Sequence, residues 1–101
     1  MKIDEAKLKD KYGLSLREYE AICDRTDNLL KFEETTGTVI SRCNGSLKST
    51  KVWLKKRLSK EETEHCIKFF EDHGGCCNCE ILFNVLPYVG EMQKEVQINE
   101  D

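Results

Sequence analysis

The sequence predicts a mainly α protein, a compact single-domain helical bundle of four to five helices, and three features carry that expectation. Apolar residues recur at helical intervals through much of the chain. Two Ser-x-x-Glu capping boxes, Ser15 with Glu18 and Ser59 with Glu62, mark helix starts. Gly13 and the pair Gly74-Gly75 stand where helices would stop. At 101 residues the chain has the size of one domain, and 39% hydrophobic against 35% charged residues is a balance that buries one core and keeps a polar surface.

The first helix is expected over residues 3–12, with Ile3, Leu8 and Tyr12 on one face and Asp4 as N-cap. A long helix follows from Leu16 to about Phe32, its stripe formed by Leu16, Tyr19, Ile22, Cys23, Leu29 and Leu30. Residues 36–42 are rich in β-branched side chains and contain Gly37, which predicts a short strand or extended connector. Asn44-Gly45-Ser46 is a turn signal before a third helix over 47–57, on which Leu47, Thr50, Trp53, Leu54 and Leu58 trace one face. The second capping box opens a fourth helix, whose Cys66, Ile67, Phe69 and Phe70 should pack on Leu54 and Leu58. After the glycines, Asn78 as N-cap and Glu80 in the first turn favour a short helix that Pro87 ends or bends. The domain is expected to span residues 1–90, and the polar stretch 91–101 to fray.

The longest apolar runs, such as Ile81-Leu82-Phe83, are far below the roughly 20 residues that cross a bilayer, and no signal-peptide pattern opens the chain. The expectation is a cytoplasmic protein with no membrane partner, whose six cysteines are reduced or bind metal. A net charge of -3 gives the whole chain no strong affinity for nucleic acid. Only the helix over 47–57 is locally basic, through Lys48, Lys51, Lys55, Lys56 and Arg57 around Trp53. That pattern suits phosphate contact and base stacking, but a solvated charged face opposite an apolar one explains it more simply. Glu61, Glu62, Glu64, Glu71 and Asp72 form no paired-carboxylate constellation, and the common nucleotide-binding and hydrolase signatures are absent.

The densest chemistry lies at Cys76-Cys77-Asn78-Cys79. Thiolates bind zinc at about 2.3 Å and structural sites need four ligands, so Cys77 and Cys79 supply half a site. Cys43, also just ahead of a helix start, is the third candidate, with Cys76, His73 or His65 to complete the set. Simple burial as small hydrophobes accounts for the same cysteines, and a helix start near Asn78 offers a third reading, an acidified thiol at Cys77 or Cys79 used in redox or nucleophilic chemistry. No base is placed beside those thiols by sequence alone, which makes an enzyme the minority reading.

The run from Phe70 to Val85, with Gly74-Gly75-Cys76-Cys77-Asn78-Cys79-Glu80 and Asn84-Val85, resembles the signature of a small bacterial family of unknown function, Gly-Gly-x-Cys-Asp-Cys-Glu followed by Asn-Val. An upstream family block, Cys-Asp-His-Ser/Thr-Leu with a later Thr and Trp-Leu, is similar to Cys43, Ser46, Leu47, Thr50, Trp53 and Leu54. The resemblance covers residues 43–86 and departs at Gly45, where the family has histidine, and at Asn78, where it has aspartate. If the family's Cys, His, Cys and Cys form a metal site, the resemblance implies Cys43, Cys77 and Cys79 as the ligands kept here, with Cys76 or His73 as the fourth. The sequence thus points to a binding or interaction module for an unidentified protein partner, with a cysteine corner suited to a structural metal such as zinc.

Overall fold

In the computed structural model, which describes residues 2–98, the chain is mainly α. Strand β1 (Lys2–Ile3) is followed by α1 (Glu5–Tyr12), α2 (Leu16–Thr36), α3 (Thr38–Ser41), α4 (Lys48–Lys55), α5 (Lys60–Asp72), α6 (Asn78–Glu80), a π-helical turn (Ile81–Val85), α7 (Leu86–Val96) and β2 (Gln97–Ile98). Local signals start the first helices: Asp4 accepts from the Lys7 amide to cap α1, and both capping boxes close reciprocally, Ser15 with Glu18 on α2 and Ser59 with Glu62 on α5. Each such cap contributes about 1 kcal/mol.

Residues 36–42 are helical rather than extended, which corrects the expected strand. Gly37 adopts φ 66, a conformation that costs glycine nothing, and its amide closes α2 on the Glu33 carbonyl. The Glu33 carboxylate then accepts from the Ile40 amide at 2.7 Å and starts the next turn. Thr36 and Ser41 fold their hydroxyls back onto the carbonyls of Phe32 and Gly37. These local bonds outweigh the β preference of Thr-Val-Ile.

The strands lie instead at the two ends, where β1 and β2 pair antiparallel, Lys2 opposite Ile98 and Ile3 opposite Gln97. This also corrects the expected polar tail. Residues 91–98 are helix and strand because Val89, Met92 and Val96 recur at helical spacing and are buried. Residues 99–101 of that tail lie outside the described residues. Pro87 does not end the helix either. It sits in the first turn of α7, directly after a π turn whose wider spacing relieves the clash between a proline ring and the carbonyl four residues earlier.

The core forms where α2 packs on α5, the π turn and α7, and gathers Ile22 and Leu29, Phe69 and Phe70, Ile81 and Val85, and Val89, Met92 and Val96. Leu54, Leu58 and Phe70 are buried between α4 and α5, with Ile67 at the margin. Each fully buried large side chain contributes about 1.5–3 kcal/mol before entropy is subtracted. A radius of gyration of 13.5 Å matches the value of about 13 Å for a single packed unit of 100 residues. Among the described residues no helix is long and apolar enough to cross a membrane.

Candidate metal centre

Two loops that are distant in sequence meet where α3 ends and α6 begins. One carries Cys43, directly after the residue that closes α3. It is shaped by Asn44, whose side-chain oxygen accepts from both the amide and the hydroxyl of Ser46. The other carries Cys77 and Cys79. After α5 the Gly75 amide returns to the Phe70 carbonyl at 2.7 Å, and Asn84 holds the Gly74 carbonyl at 2.8 Å. Cys77 is then extended (φ -152, ψ 169) and caps α6 with its backbone, its carbonyl accepting from the Ile81 amide at 3.0 Å.

The three ligand atoms of Cys43, Cys77 and Cys79 all lie within 4.8 Å of one another. The Sγ atoms of Cys77 and Cys79 are 3.1 Å apart, and the Cys77 thiol also donates to the Glu80 carboxylate at 3.3 Å. The electrostatics separate the thiols. Backbone amides of Cys79 and Gly45 hold the Cys43 sulfur and draw its pKa down to about 7. Burial pushes the Cys77 thiol up, with hydrogen bonding to Cys79 adding to it. The corner therefore pairs a thiol ready to ionise near neutral pH with one that keeps its proton there.

Of the other candidates, Cys76 is exposed and outside this group. His73 stacks on the Tyr88 ring, centroids 3.9 Å apart, and burial lowers its pKa. His65 binds Glu18 at 2.6 Å in the seam between α2 and α5. At position 45 a side chain would meet nothing within 4 Å, but φ is 76 there, so glycine is the residue that fits without strain.

Residues that sequence reasoning passed over complete the surroundings. Asn78, expected as an N-cap, is the first residue of α6, and its side chain is used elsewhere. Its oxygen accepts from Thr50 at 2.6 Å and its amide donates to Ser49 at 2.7 Å. Thr50 in turn accepts from Arg25 Nε at 3.0 Å. The cysteine corner is thus tied to α4 and α2 through one hydrogen-bonded chain. A signal for Arg25 exists in the sequence: it lies three residues after Ile22 and four before Leu29, on the apolar stripe of α2, where a charge is out of place.

No curated protein and no solved structure gives a significant match to the chain. A family model described as "Protein of unknown function (DUF2695)" matches residues 33–84, more than half of the chain, and spans all three clustered cysteines with Thr50 and Asn78. This chain therefore belongs to that family of unknown function, DUF2695.

Proposed function

We propose that this protein is a small binding module that holds a thiophilic metal ion, zinc above all, through Cys43, Cys77 and Cys79. The observation that carries the reading is the convergence of three sulfurs from two loops within 4.8 Å. Bonds of about 2.3 Å at tetrahedral angles put sulfurs about 3.8 Å apart. The Cys77–Cys79 pair, at 3.1 Å, needs only a small opening to reach that value. Three thiolates leave a fourth position for water or an external ligand. The setting proposed is the bacterial cytoplasm, where thiols stay reduced and available to metal.

Elemental analysis of protein purified without added metal or chelator tests the reading. The expected result is about one zinc per chain, lost in Cys43→Ser and in Cys77→Ser while far-UV circular dichroism keeps its helical signal. Absence of metal, together with no uptake of added zinc, would overturn it.

A thiol-based redox role is the second reading, favoured by the 3.1 Å approach of Cys77 and Cys79 and by the acidified Cys43. A metal-free chain that loses two hydrogens in intact-mass analysis upon mild oxidation would support it over metal binding. Nucleic-acid binding through α4 is weaker. Arg57 lies 3.6 Å and Arg25 5.5 Å from the centroid of the Trp53 ring, which engages the surface a base would stack on.

A further inference from the structure

Beside the cysteine corner lies a cavity of about 480 Å³, within the range that takes small molecules. Its polar lining includes Arg25, Asn28, Thr38, Arg42, Ser49 and Asn78, and no acidic residue lines it among the described residues. Leu29, Val39 and Phe32 form its apolar side, and Cys43 stands at its edge.

Arg25 is the anomaly. It is only 7% exposed, yet no carboxylate lies within 4 Å of it among the described residues. Its Nε and Nη1 donate to neutral acceptors, Thr50 Oγ1 at 3.0 Å and Asn28 Oδ1 at 2.9 Å. Burial, with repulsion from the like charge of Arg57 adding to it, lowers its pKa to about 10 and leaves it cationic at neutral pH. A buried charge without a counter-ion is costly, and an anion from outside the chain would offset that cost. Arg42 adds a second positive charge to the same wall, although the chain as a whole is net negative.

We propose that this cavity binds the oxyanion group, phosphate or carboxylate, of a small organic molecule, with Arg25 and Arg42 as counter-ions and the apolar side of Leu29, Val39 and Phe32 against its body. Ser49 contributes a donor: its oxygen accepts from Asn78, which leaves its own proton to offer. Thr50 and Asn78 are positioning residues, because they hold the Arg25 guanidinium in place. The site does not require a bound metal, but its ligand would lie next to the fourth position that three thiolates leave open.

The test is a two-dimensional NMR titration of metal-free and zinc-loaded protein with inorganic phosphate, phenyl phosphate and benzoate. The Arg25 Nε–H and Asn78 side-chain amide signals should shift saturably, and phenyl phosphate or benzoate should bind about ten-fold tighter than inorganic phosphate because it also covers apolar wall. Arg25→Gln should weaken binding about ten-fold or more, and Arg57→Gln, of equal charge change but outside the cavity lining, should change it far less. Should Arg25→Gln fail to fold, Arg42→Gln and Asn78→Asp, which remove a positive charge from the wall or add a negative one, take its place and should also weaken binding. Preference between phenyl phosphate and benzoate assigns the anion class. No saturable shift with any of the three probes at about 10 mM, or equal losses in Arg25→Gln and Arg57→Gln, would overturn the proposal whether or not the protein binds zinc.

Discussion

Two glycine-to-alanine substitutions should move stability in opposite directions. A methyl group at Gly75 would lie 2.7 Å from Val85 Cγ2, 3.1 Å from Ile81 Cγ1 and 3.1 Å from the Phe70 carbonyl oxygen. Val85 and Ile81 are fully buried, and the Phe70 carbonyl is already held by the Gly75 amide, so nothing there yields freely. Overpacking of this kind costs about 1–3 kcal/mol, and the backbone contact places Gly75→Ala toward the top of that range. A methyl group at Gly90, inside α7, meets nothing within 4 Å, and removing a helix-interior glycine contributes about 0.8–1 kcal/mol. Equilibrium unfolding in urea, followed by far-UV circular dichroism, separates the two. With a slope of about 1.5 kcal/mol/M, Gly75→Ala should lower the midpoint by about 1.5 M and Gly90→Ala should raise it by about 0.5 M. In heat, Gly75→Ala should lose about 10–20 °C. Midpoints that move in the same direction, or a Gly75→Ala change below about 0.3 M, would refute the packing assigned to the chain between α5 and the cysteine corner.

Two further outcomes follow from single buried or acidified groups. Thr63 is fully buried and its hydroxyl has no hydrogen-bond partner among the described residues, so Thr63→Val should raise stability by about 1 kcal/mol, read in the same urea assay; a loss would mean that the hydroxyl is satisfied. In metal-free protein, Cys43 should react with iodoacetamide at pH 7 about three-fold faster than it does in the unfolded chain. Half is thiolate against about 3% for an ordinary thiol, and the lower pKa removes part of that advantage through weaker nucleophilicity. Because folding lowers this pKa, the rate should climb as pH rises toward about 7 and level off above it; a midpoint near 8.5 would contradict the amide contacts at its sulfur.

What the sequence disclosed depended on how far its signals reach along the chain. Asp4, Ser15 with Glu18, and Ser59 with Glu62 act within four residues, so the caps of their helices were legible, although Ile3 pairs in β1 and α2 runs past Phe32 to Thr36. The segment 36–42 was misread because its side chains favour strand while its hydrogen bonds come from Glu33, before the segment begins. The paired ends 2–3 and 97–98 have only two residues each and owe their form to each other, which no local window contains. The cysteine corner was legible through residue type, since thiols are rare enough for Cys43 to stand out beside Cys77 and Cys79. The chain from Arg25 through Thr50 to Asn78 was not, because it links positions 25 and 28 residues apart through common side chains.

That chain also bears on what a metal would do for the fold. Phe70, Ile22, Leu54, Val85 and Val96 close the core without help from Cys43 or Cys79, both of which lie outside the buried cluster. Linking Cys43 to Cys77 through an ion closes a loop of about 34 residues, which by cross-link entropy stabilises by about 3–4 kcal/mol. Such an ion would be a clip on a domain already folded, unlike a zinc finger that needs its ion to fold at all. A bound ion would therefore keep its fourth position open to an exchanging ligand while Thr50 and Asn78 hold the loop in place, and the neighbouring cavity lined by Arg25 and Arg42 is where such a ligand would arrive.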